Sequence, residues 1–328
     1  MENAIRIGIV GYGNLGRGVE AAIAQNGDMR LVGLFSRRDP ASVKTASGAP
    51  VYSMDELERF RQEVDVMILC GGSKDDLPQQ GPQLAAMFNT VDSFDNHSSI
   101  PEYYAAVDAA AKGANTIGLI SVGWDPGMFS LNRLYAEAIL PEGSTYTFWG
   151  KGLSQGHSDA IRRVPGVKGG VQYTLPSQTA IEQVRSGSNP ELSTREKHTR
   201  ECFVVLEEGA DAVAVEQAIV TMPAYFADYD TTVNFISEEE LRRSHNTMPH
   251  GGFVIRSGQT NNGASKQVME FSLKLDSNPE YTASVLVAYA RAAHRLSQQG
   301  QSGARTVFDV APGLLSPRSP ADLRKDLL

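Results

Sequence analysis

Short apolar runs alternate with amphipathic segments through the first third of the chain. Uninterrupted runs rich in Ile and Val are typical of parallel strands that are buried on both faces. The first run, 5–10, leads into a helical pattern that places Val19, Ala22 and Ile23 on one face. Further apolar runs lie at 29–35, 64–70, 90–91 and 116–120, and further helical patterns at 54–60, 82–88 and 101–112. This order predicts an α/β fold, a Rossmann-type doubly wound sheet.

The pattern changes near residue 122. Beyond it, helices and polar loops separate strand-like runs at 145–149, 171–175, 202–206, 231–236, 253–257 and 268–275. This is typical of an α+β domain that binds substrate or forms a dimer beside a nucleotide-binding fold. A helical pattern then runs over 279–296, and a short one follows Pro320. We expect a dinucleotide-binding domain over 1–121 and a substrate-binding and dimerisation domain over 122–293. The C-terminal segment, 294–328, should return to the first domain.

Three glycines stand between the first predicted strand and the first predicted helix. In the pattern GxGxxG, Gly11 allows a tight turn, Gly13 lets the backbone approach a pyrophosphate, and Gly16 lets the helix pack against the strand. The first N–H groups of the helix then face the phosphates. The bare pattern is a weak signal, but the strand before it and the helix after it are the context that it requires. The predicted dinucleotide contacts in this turn are Gly11, Tyr12, Gly13, Asn14, Leu15 and Gly16.

The residues after the second strand indicate which dinucleotide is bound. NAD-binding sites usually carry an acidic residue here for the ribose 2′-hydroxyl, whereas this chain has Ser36, Arg37 and Arg38. A hydroxyl and two guanidiniums suit a 2′-phosphate. The alternative is a solvated arginine pair at the end of a strand. We favour NADP as the cofactor.

Glycines and polar residues also follow the later strands, at the edge of the sheet where ligands bind in open α/β folds. The further predicted cofactor contacts are Cys70, Gly71, Gly72, Ser73, Asp92, Ser93, Phe94 and Asp95. Asp95 and Asp125 are the candidate catalytic carboxylates. Asp125 has a second interpretation, because Asp before Pro126 is typical of a helix N-cap. No helix is predicted directly after Asp95, so a functional role is favoured there.

Composition narrows the choice of partners. Of the 328 residues, 38 are acidic and 30 are Lys or Arg, a net charge of −8, which argues against nucleic acid or an anionic membrane surface. No apolar run reaches the roughly 18 residues of a membrane span. Cys70 and Cys202 lie in apolar runs and are expected to be buried thiols, neither a disulfide nor a metal site. With no secretory leader visible, we expect a cytoplasmic protein without a metal.

Polar residues of the second half are candidates for binding an anionic substrate, but each signal is weak alone. An Arg beside a strand, such as Arg200, is more often a surface group, and His250 beside two glycines is more often a loop residue. Ser158 and Asp159 are alternative candidates for the cap of a short helix, and Asn278 is a candidate N-cap ahead of Pro279. These residues by themselves indicate an NADP-dependent oxidoreductase of unknown substrate.

Eight segments, in order along nearly the whole chain, carry a resemblance to a known family. They are GYGNLG at 11–16, FSRR at 35–38, FDNH at 94–97, GWDPGMFS at 123–130, GLSQGHSD at 152–159, QYTLPS at 172–177, MPHGG at 248–252 and QQGQSGA at 298–304. On these segments the chain resembles the meso-diaminopimelate D-dehydrogenases of bacterial lysine biosynthesis.

The resemblance implies a homodimer that uses NADP to deaminate the D-centre of meso-2,6-diaminopimelate reversibly, giving L-2-amino-6-oxopimelate and ammonia. It implies that Asp95 and Asp125 hold the reacting amino group, and which of the two accepts the proton stays open. The implied substrate contacts are Trp124, Trp149, Ser154, Gln155, Gly156, Asp159, Thr174, Arg200, His250 and Asn278. Within this set Thr174, Arg200, His250 and Asn278 would hold the distal L-centre. Trp149, where relatives often carry Phe, should alter the shape of the pocket more than the chemistry.

Three other functions are alternatives to this one. A sugar dehydrogenase of the related two-domain class should carry a Glu-Lys-Pro motif, but Glu196-Lys197 is followed by His198. A semialdehyde dehydrogenase needs an accessible cysteine nucleophile, and both cysteines lie in apolar runs. A non-catalytic NADP redox sensor would have little use for the candidate carboxylates or for Arg200 and His250.

Overall fold

The structure is a computed structural model that describes residues 4–328. Within these residues the strands are β1 (Ile5–Val10), β2 (Met29–Ser36), β3 (Val51–Ser53), β4 (Val66–Leu69), β5 (Asn89–Asp92), β6 (Ile117–Leu119), β7 (Gly143–Trp149), β8 (Gly152–Leu153), β9 (Val167–Pro176), β10 (His198–Leu206), β11 (Asp230–Phe235), β12 (His250–Thr260), β13 (Ser265–Leu275) and β14 (Gly303–Arg305). The α-helices are α1 (Asn14–Ala24), α2 (Leu77–Ala85), α3 (Ile100–Ala114), α4 (Met128–Ile139), α5 (Gln155–Arg162), α6 (Gln178–Arg185), α7 (Thr194–Lys197), α8 (Ala212–Val220), α9 (Glu238–Ser244), α10 (Asn278–Gln298) and α11 (Pro320–Leu327). Short 3₁₀ helices lie at Pro40–Ser42, Met54–Phe60, His97–Ser99, Val307–Asp309 and Pro312–Leu314.

The chain divides into two compact units. The first extends to Leu131 and resumes at Pro279, and the second covers Asn132–Asn278. The expected bounds at 121 and 293 therefore lie ten or more residues away from those of the structure. The difference arises because the buried face of α10, with Leu286 and Ala290, belongs to the same hydrophobic cluster as β1 and α1. Gly18 allows this close packing, since a Cβ there would lie 2.9 Å from the Ala283 Cβ.

The first unit is built on a seven-stranded parallel sheet in the order β14-β6-β5-β4-β1-β2-β3. Alternate residues of one strand face opposite sides: Val66 and Ile68 join the cluster with α1 and α10, while Met67 and Leu69 join the cluster with α2 and α3. The predicted doubly wound α/β fold is confirmed. The strand order reverses between β1 and β4, and ligands of such sheets bind outside the carboxyl ends of the strands at this point.

The C-terminal segment adds β14 to the edge of this sheet, beside β6. Arg291 of α10 holds the segment from inside the unit. Its buried guanidinium donates to both carboxylate oxygens of Asp28, at 2.6 and 2.7 Å, and to the Leu315 carbonyl oxygen at 2.7 Å. The Arg291 hydrogen bonds hold the pKa of Asp28 below its ordinary value. The start of β2 and the chain after α10 are thereby fixed to one side chain.

The second unit contains two sheets, β11-β10-β9-β8 and β13-β12-β7. Helices α5 and α8 cover the first sheet, where Ile161 and Ile219 pack with Cys202. Helix α6 covers the second through Ile181, which packs against Phe148. This is the expected α+β arrangement. The predicted runs 253–257 and 268–275 belong to a longer hairpin, β12 and β13, whose strands pair along their whole length.

Three predicted helix positions differ from the structure. The segment 54–60 is a 3₁₀ helix rather than an α-helix. Helix α2 begins at Leu77 rather than near Pro82, with Pro78 in the first turn, where the N–H that proline lacks has no helical partner. Helix α4 begins at Met128 rather than at Pro126, so Asp125 is three residues away from its start.

Candidate active site

The glycine-rich turn has the geometry that a pyrophosphate requires. Gly11 has φ +90°, a conformation that favours glycine. A Cβ on Gly16 would lie 2.2 Å from the Gly11 carbonyl oxygen, so only glycine lets α1 pack this closely. Gly13 precedes α1, and a Cβ there would meet nothing within 4 Å. Since the first turn of α1 has no acidic residue, its N–H groups and their partial positive charge suit an anion.

A cavity of about 300 Å³ lies beside this turn. Ser36, Arg37 and Arg38 form part of its wall. Arg38 donates through its backbone N–H to the Ser36 Oγ at 3.0 Å and through its guanidinium to the Tyr12 carbonyl oxygen at 2.8 Å. Arg37 pairs with Asp76 at 2.7 Å while its side chain stays 69% exposed. Both arginines are thus held at the cavity by protein atoms, and the residues present fit an anionic 2′-phosphate.

The remaining predicted cofactor residues divide into two groups. Gly71 and Cys70 line the same cavity, and the Ser73 Oγ accepts the Asp95 N–H at 3.1 Å. Two others are buried: Tyr12, whose hydroxyl donates to Glu20, and Phe94, which stacks on Tyr103. Their side chains support the turns, and their backbones remain the candidates for cofactor contact. The other predicted members of the site on these turns are Asn14, Leu15, Gly72 and Ser93.

The two cysteines are free thiols, and Cys202 is buried as expected. Cys70 is only half-buried, which corrects the expectation for that residue: it ends the buried run of β4 and lies at the cavity. Burial raises the pKa of both thiols, that of Cys202 to about 12. A thiol with a raised pKa is a poor nucleophile at neutral pH, so the structure gives no support to semialdehyde dehydrogenase chemistry.

Asp92, at the end of β5, organises the loops that carry both candidate catalytic residues. The residue is 1% exposed. One oxygen accepts the Phe94 N–H at 2.9 Å and the Ser121 N–H at 3.2 Å, and the other accepts the Tyr103 hydroxyl at 2.7 Å. The bond from Phe94 holds the loop that carries Asp95, and the bond from Ser121 holds the loop that leads to Asp125. The Asp92 carboxyl therefore orders the two loops that carry the candidate catalytic residues.

Burial raises the pKa of Asp92 to about 6, despite the three hydrogen bonds that oppose the shift. A raised pKa means that the folded state favours the protonated carboxyl. The stabilisation is therefore complete below the unfolded pKa, near 4, and is lost as the pH rises through about 6. Asp92→Asn has no ionisable group at this position, so its stability does not fall with pH in this way. Relative to wild type, its free energy of unfolding should improve by about 2–3 kcal/mol between pH 4 and pH 7.

Urea unfolding across this pH range measures the change, and the exposed Asp228→Asn serves as the matched control. Asp92 would not carry the raised pKa if the difference between Asp92→Asn and wild type stayed constant with pH.

Asp95 and Asp125 follow neighbouring parallel strands, β5 and β6. An isolated bridge between Trp124 and Gly127 turns the chain sharply around Asp125. The first N–H groups of α4 then bond to backbone: Met128 to the Gly123 oxygen at 2.9 Å and Phe129 to the Trp124 oxygen at 2.8 Å. Asp125 is therefore not at the N-cap position, because α4 starts three residues later and backbone oxygens accept these two N–H groups. The catalytic role of Asp125 stays a prediction.

In the second unit, Arg200 and Thr174 are direct cross-strand neighbours on β10 and β9. The Arg200 guanidinium donates to the Thr174 Oγ1 and lies over the Tyr229 ring, 3.9 Å from its centroid. The side chain is buried, with 8% of the residue exposed. Within residues 4–328 its Nε has no hydrogen-bond partner. A buried guanidinium with a spare donor is suited to a carboxylate, which accepts two parallel N–H groups.

Two histidines near Arg200 are neutral. Burial, followed by the charge of Arg200, lowers the pKa of His157 to about 4 and that of His198 to about 3. His198 accepts the Trp149 N–H through Nε2 at 2.8 Å and stacks against the half-exposed indole, with 5.3 Å between ring centroids. His198 thus positions Trp149. Sequence reasoning missed this residue, although its spacing of two from Arg200 on one strand placed both on one face.

His250 joins the Arg200–Thr174 pair through a glycine. Gly152 pairs with Thr174, and a Cβ on Gly152 would lie 2.4 Å from the His250 Nδ1. Only glycine therefore lets the imidazole approach β8. The structure brings Thr174, Arg200 and His250 together, as the resemblance implied. It adds Gly152, which the sequence did not single out.

The other predicted substrate residues of this unit lie on or beside α5. Ser154, not Ser158 or Asp159, is its N-cap, and its Oγ accepts the His157 N–H at 3.5 Å. Gln155 donates to the Met248 sulfur at 3.2 Å, and Gly156 follows it in the first turn. Asp159 pairs with Arg162 on its own helix. Asn278 is the first residue of α10 rather than its cap, and its N–H bonds to the Met248 carbonyl oxygen.

The described part of the chain has neither a candidate metal site nor a helix that could span a membrane. No three His, Cys, Asp or Glu side chains in residues 4–328 are grouped so that they could hold a metal ion. None of the helices found there has the length and apolarity to cross a bilayer.

Comparison with known proteins places the chain among close relatives. The family model described as "Diaminopimelic acid dehydrogenase C-terminal domain" matches residues 123–277. The meso-diaminopimelate D-dehydrogenase of Lysinibacillus sphaericus is 68% identical over 327 residues, covering 99% of this chain and 100% of the relative.

Two similar solved structures contain a bound ligand. The Corynebacterium glutamicum diaminopimelate dehydrogenase in complex with diaminopimelate is 50% identical, with TM-score 0.93 and coverage of 99% of this chain and 100% of the other. An engineered D-amino acid dehydrogenase bound to NADP⁺ is 49% identical, with TM-score 0.87 and the same coverage.

Proposed function

The chain belongs to the meso-diaminopimelate D-dehydrogenase family, and from this premise we propose how its own residues perform the reaction. The enzyme catalyses the NADP-dependent, reversible oxidative deamination of meso-2,6-diaminopimelate at its D-centre, giving L-2-amino-6-oxopimelate and ammonia. The observation that best supports the assignment of the substrate site is the buried Arg200, which has a spare donor beside Thr174 and His250.

The first unit holds the cofactor. The N–H groups at the start of α1 bind the pyrophosphate, and Ser36, Arg37 and Arg38 bind the 2′-phosphate. When bound, NADP⁺ supplies the acceptor for the hydride of the D-configured α-carbon. The contribution of the protein is to fix the cofactor through these contacts and to order the loops around Asp92.

Arg37 provides the test of the cofactor site. Charge-assisted hydrogen bonds contribute about 1.5–3 kcal/mol each, so Arg37→Ala should weaken NADP⁺ binding by roughly 10- to 100-fold. Binding of NAD⁺, which lacks the 2′-phosphate, should change little. Isothermal titration with both dinucleotides measures the two affinities. An equal loss for both would mean that Arg37 does not read the 2′-phosphate.

Asp95 and Asp125 act at the reacting amine. A carboxylate beside the D-centre favours the ammonium form, takes a proton from it before the hydride leaves, and then orients the water that attacks the iminium carbon. Once the carboxyl group has released the first proton, it takes one from the attacking water, which gives a carbinolamine. Proton transfer to the nitrogen and cleavage of the C–N bond then release ammonia and leave the ketone. The turns around Asp92 and around Gly127 hold these two carboxylates in place.

The distal L-centre is held by residues of the second unit. Arg200 binds its carboxylate bidentately, with Thr174, His250 and Asn278 completing the contacts. Because His157 and His198 are neutral, they add no charge that would compete for the carboxylate. In the second unit, Trp149 lines the methylene chain together with Ser154, Gln155, Gly156 and Asp159. The resemblance to the family assigns the same role to Trp124 of the first unit.

The family membership also supports a cytoplasmic homodimer. The exposed apolar side chains of the second unit, Phe235 and Val268 among them, are the kind of surface that a second copy covers. Light scattering on the purified protein should give twice the 35.4 kDa of one chain. A mass of one chain at enzyme-assay concentrations would rule out the homodimer.

A further inference from the structure

The start of α2 forms one wall of the cofactor cavity, and the proposed reaction assigns no role to its residues. Asp76, directly before this helix, and Gln80, one turn later, both line the cavity. Gly71 makes room for both, since a Cβ there would lie 2.7 Å from the Asp76 Cβ and 3.0 Å from the Gln80 Oε1. This places two oxygen-bearing side chains against the glycine turn after β4.

The two side chains differ in whether their oxygens have hydrogen-bond partners. Asp76 has a partner for each oxygen: Arg37 at 2.7 Å and the Gly72 N–H at 2.9 Å. The Gln80 Oε1 is buried, and in the described part of the chain it has no hydrogen-bond partner. A buried acceptor without a donor is unfavourable, so an N–H or O–H of a bound molecule would satisfy it.

The chemistry of the cofactor limits what that donor can be. The ribose that carries the 2′-phosphate carries adenine on the adjacent carbon. A cavity that binds the phosphate at Arg37 and Arg38 therefore places the adenine within a few ångströms of them. The rest of the same wall contains Met54, whose thioether suits the face of an aromatic ring. The exocyclic 6-amino group is a neutral donor on the edge of the adenine.

We propose that Gln80 reads the adenine base of the cofactor by accepting a hydrogen bond from its 6-amino group. Gln80 is then a specificity-determining residue that distinguishes adenine from a base with an acceptor at the same position. The inference rests on the cofactor site proposed above, with the 2′-phosphate at Arg37 and Arg38. It assigns the part of the same cavity beside Gln80 to the adenine base.

The test compares NADP⁺ with nicotinamide hypoxanthine dinucleotide phosphate, in which an oxygen replaces the 6-amino group. Isothermal titration on the full-length protein gives both dissociation constants without any turnover. Wild type should bind NADP⁺ about tenfold more tightly, because the hypoxanthine oxygen faces the Gln80 Oε1 as a second acceptor and the amide must turn to avoid this contact. In Gln80→Leu the preference should fall below about threefold, mostly through weaker NADP⁺ binding.

Two variants make the result specific. Gln79→Leu, the same change at an exposed neighbour on the same helix, should keep the wild-type preference. Gln80→Glu keeps the acceptor and cannot turn an N–H towards the base, so its preference should equal or exceed that of wild type.

Equal binding of the two dinucleotides by wild type would overturn the inference, as would an unchanged preference in Gln80→Leu. A wild type that binds neither dinucleotide would instead contradict the proposed cofactor site.

Discussion

Asp125→Asn and Asp95→Asn should each lower the turnover of meso-diaminopimelate by about 10²-fold or more, the range observed for groups that transfer protons. Asparagine keeps the size of the side chain but cannot hold an ammonium ion by charge or accept its proton. The affinity for NADP⁺ should stay near that of wild type, because the 2′-phosphate and pyrophosphate contacts lie on other turns. Steady-state kinetics together with titration of NADP⁺ separates the two effects.

The exposed Asp228→Asn is the matched control and should keep full activity. Full activity in Asp125→Asn would remove that residue from the chemistry, and full activity in Asp95→Asn would do the same for Asp95. Loss of turnover accompanied by an equal loss of NADP⁺ affinity would show that the variant disturbs the cofactor turns instead.

The second large effect concerns the choice of substrate. A site built around a buried charged group rejects ligands that leave this group unpaired, so wild type should deaminate D-leucine very poorly. In the variant Arg200→Met/Thr174→Ile/His250→Asn, the donors are replaced by apolar surface and a smaller amide. Activity on meso-diaminopimelate should fall by roughly 10³-fold or more, and activity on D-leucine should rise by about tenfold or more.

The values of kcat/KM for both substrates, in wild type and in the triple variant, decide this prediction. Adding Asp95→Asn or Asp125→Asn to the triple variant should abolish the activity on D-leucine, since the reacting amine is common to both substrates. Arg243→Met, an exposed change of the same type, should alter neither substrate. A parallel fall for both substrates in the triple variant would mean that the three residues support the fold or the chemistry.

The nucleotide-binding half could be predicted from the sequence because its signals are local. A buried strand, three spaced glycines and two arginines each have a physical meaning within a few residues of chain. The edge strand β14 was missed because its three residues, Gly303–Arg305, are too few to show a period. The bounds of the units were displaced because the apolar face of α10 does not indicate which core it joins.

The substrate half depends on contacts that the sequence does not encode locally. Thr174 and Arg200 meet only through the register of β9 and β10, and the residue types alone left each as a weak candidate. The resemblance to a known family supplied their association, and the structure supplied the reason for it. Gly152, His198 and Gln80 were missed because their roles consist of making room, stacking or facing a cavity.

The most direct measurement is NADPH formation at alkaline pH with the separated isomers of diaminopimelate. The proposed site requires a D-centre at the carboxylates and an L-centre at Arg200, Thr174 and His250, a combination that only the meso isomer offers. We therefore expect rapid NADPH formation with meso, none with LL, which has no D-centre, and little with DD, whose distal centre has the wrong hand. Rates with LL or DD that matched the rate with meso, or no NADPH from meso, would contradict the account.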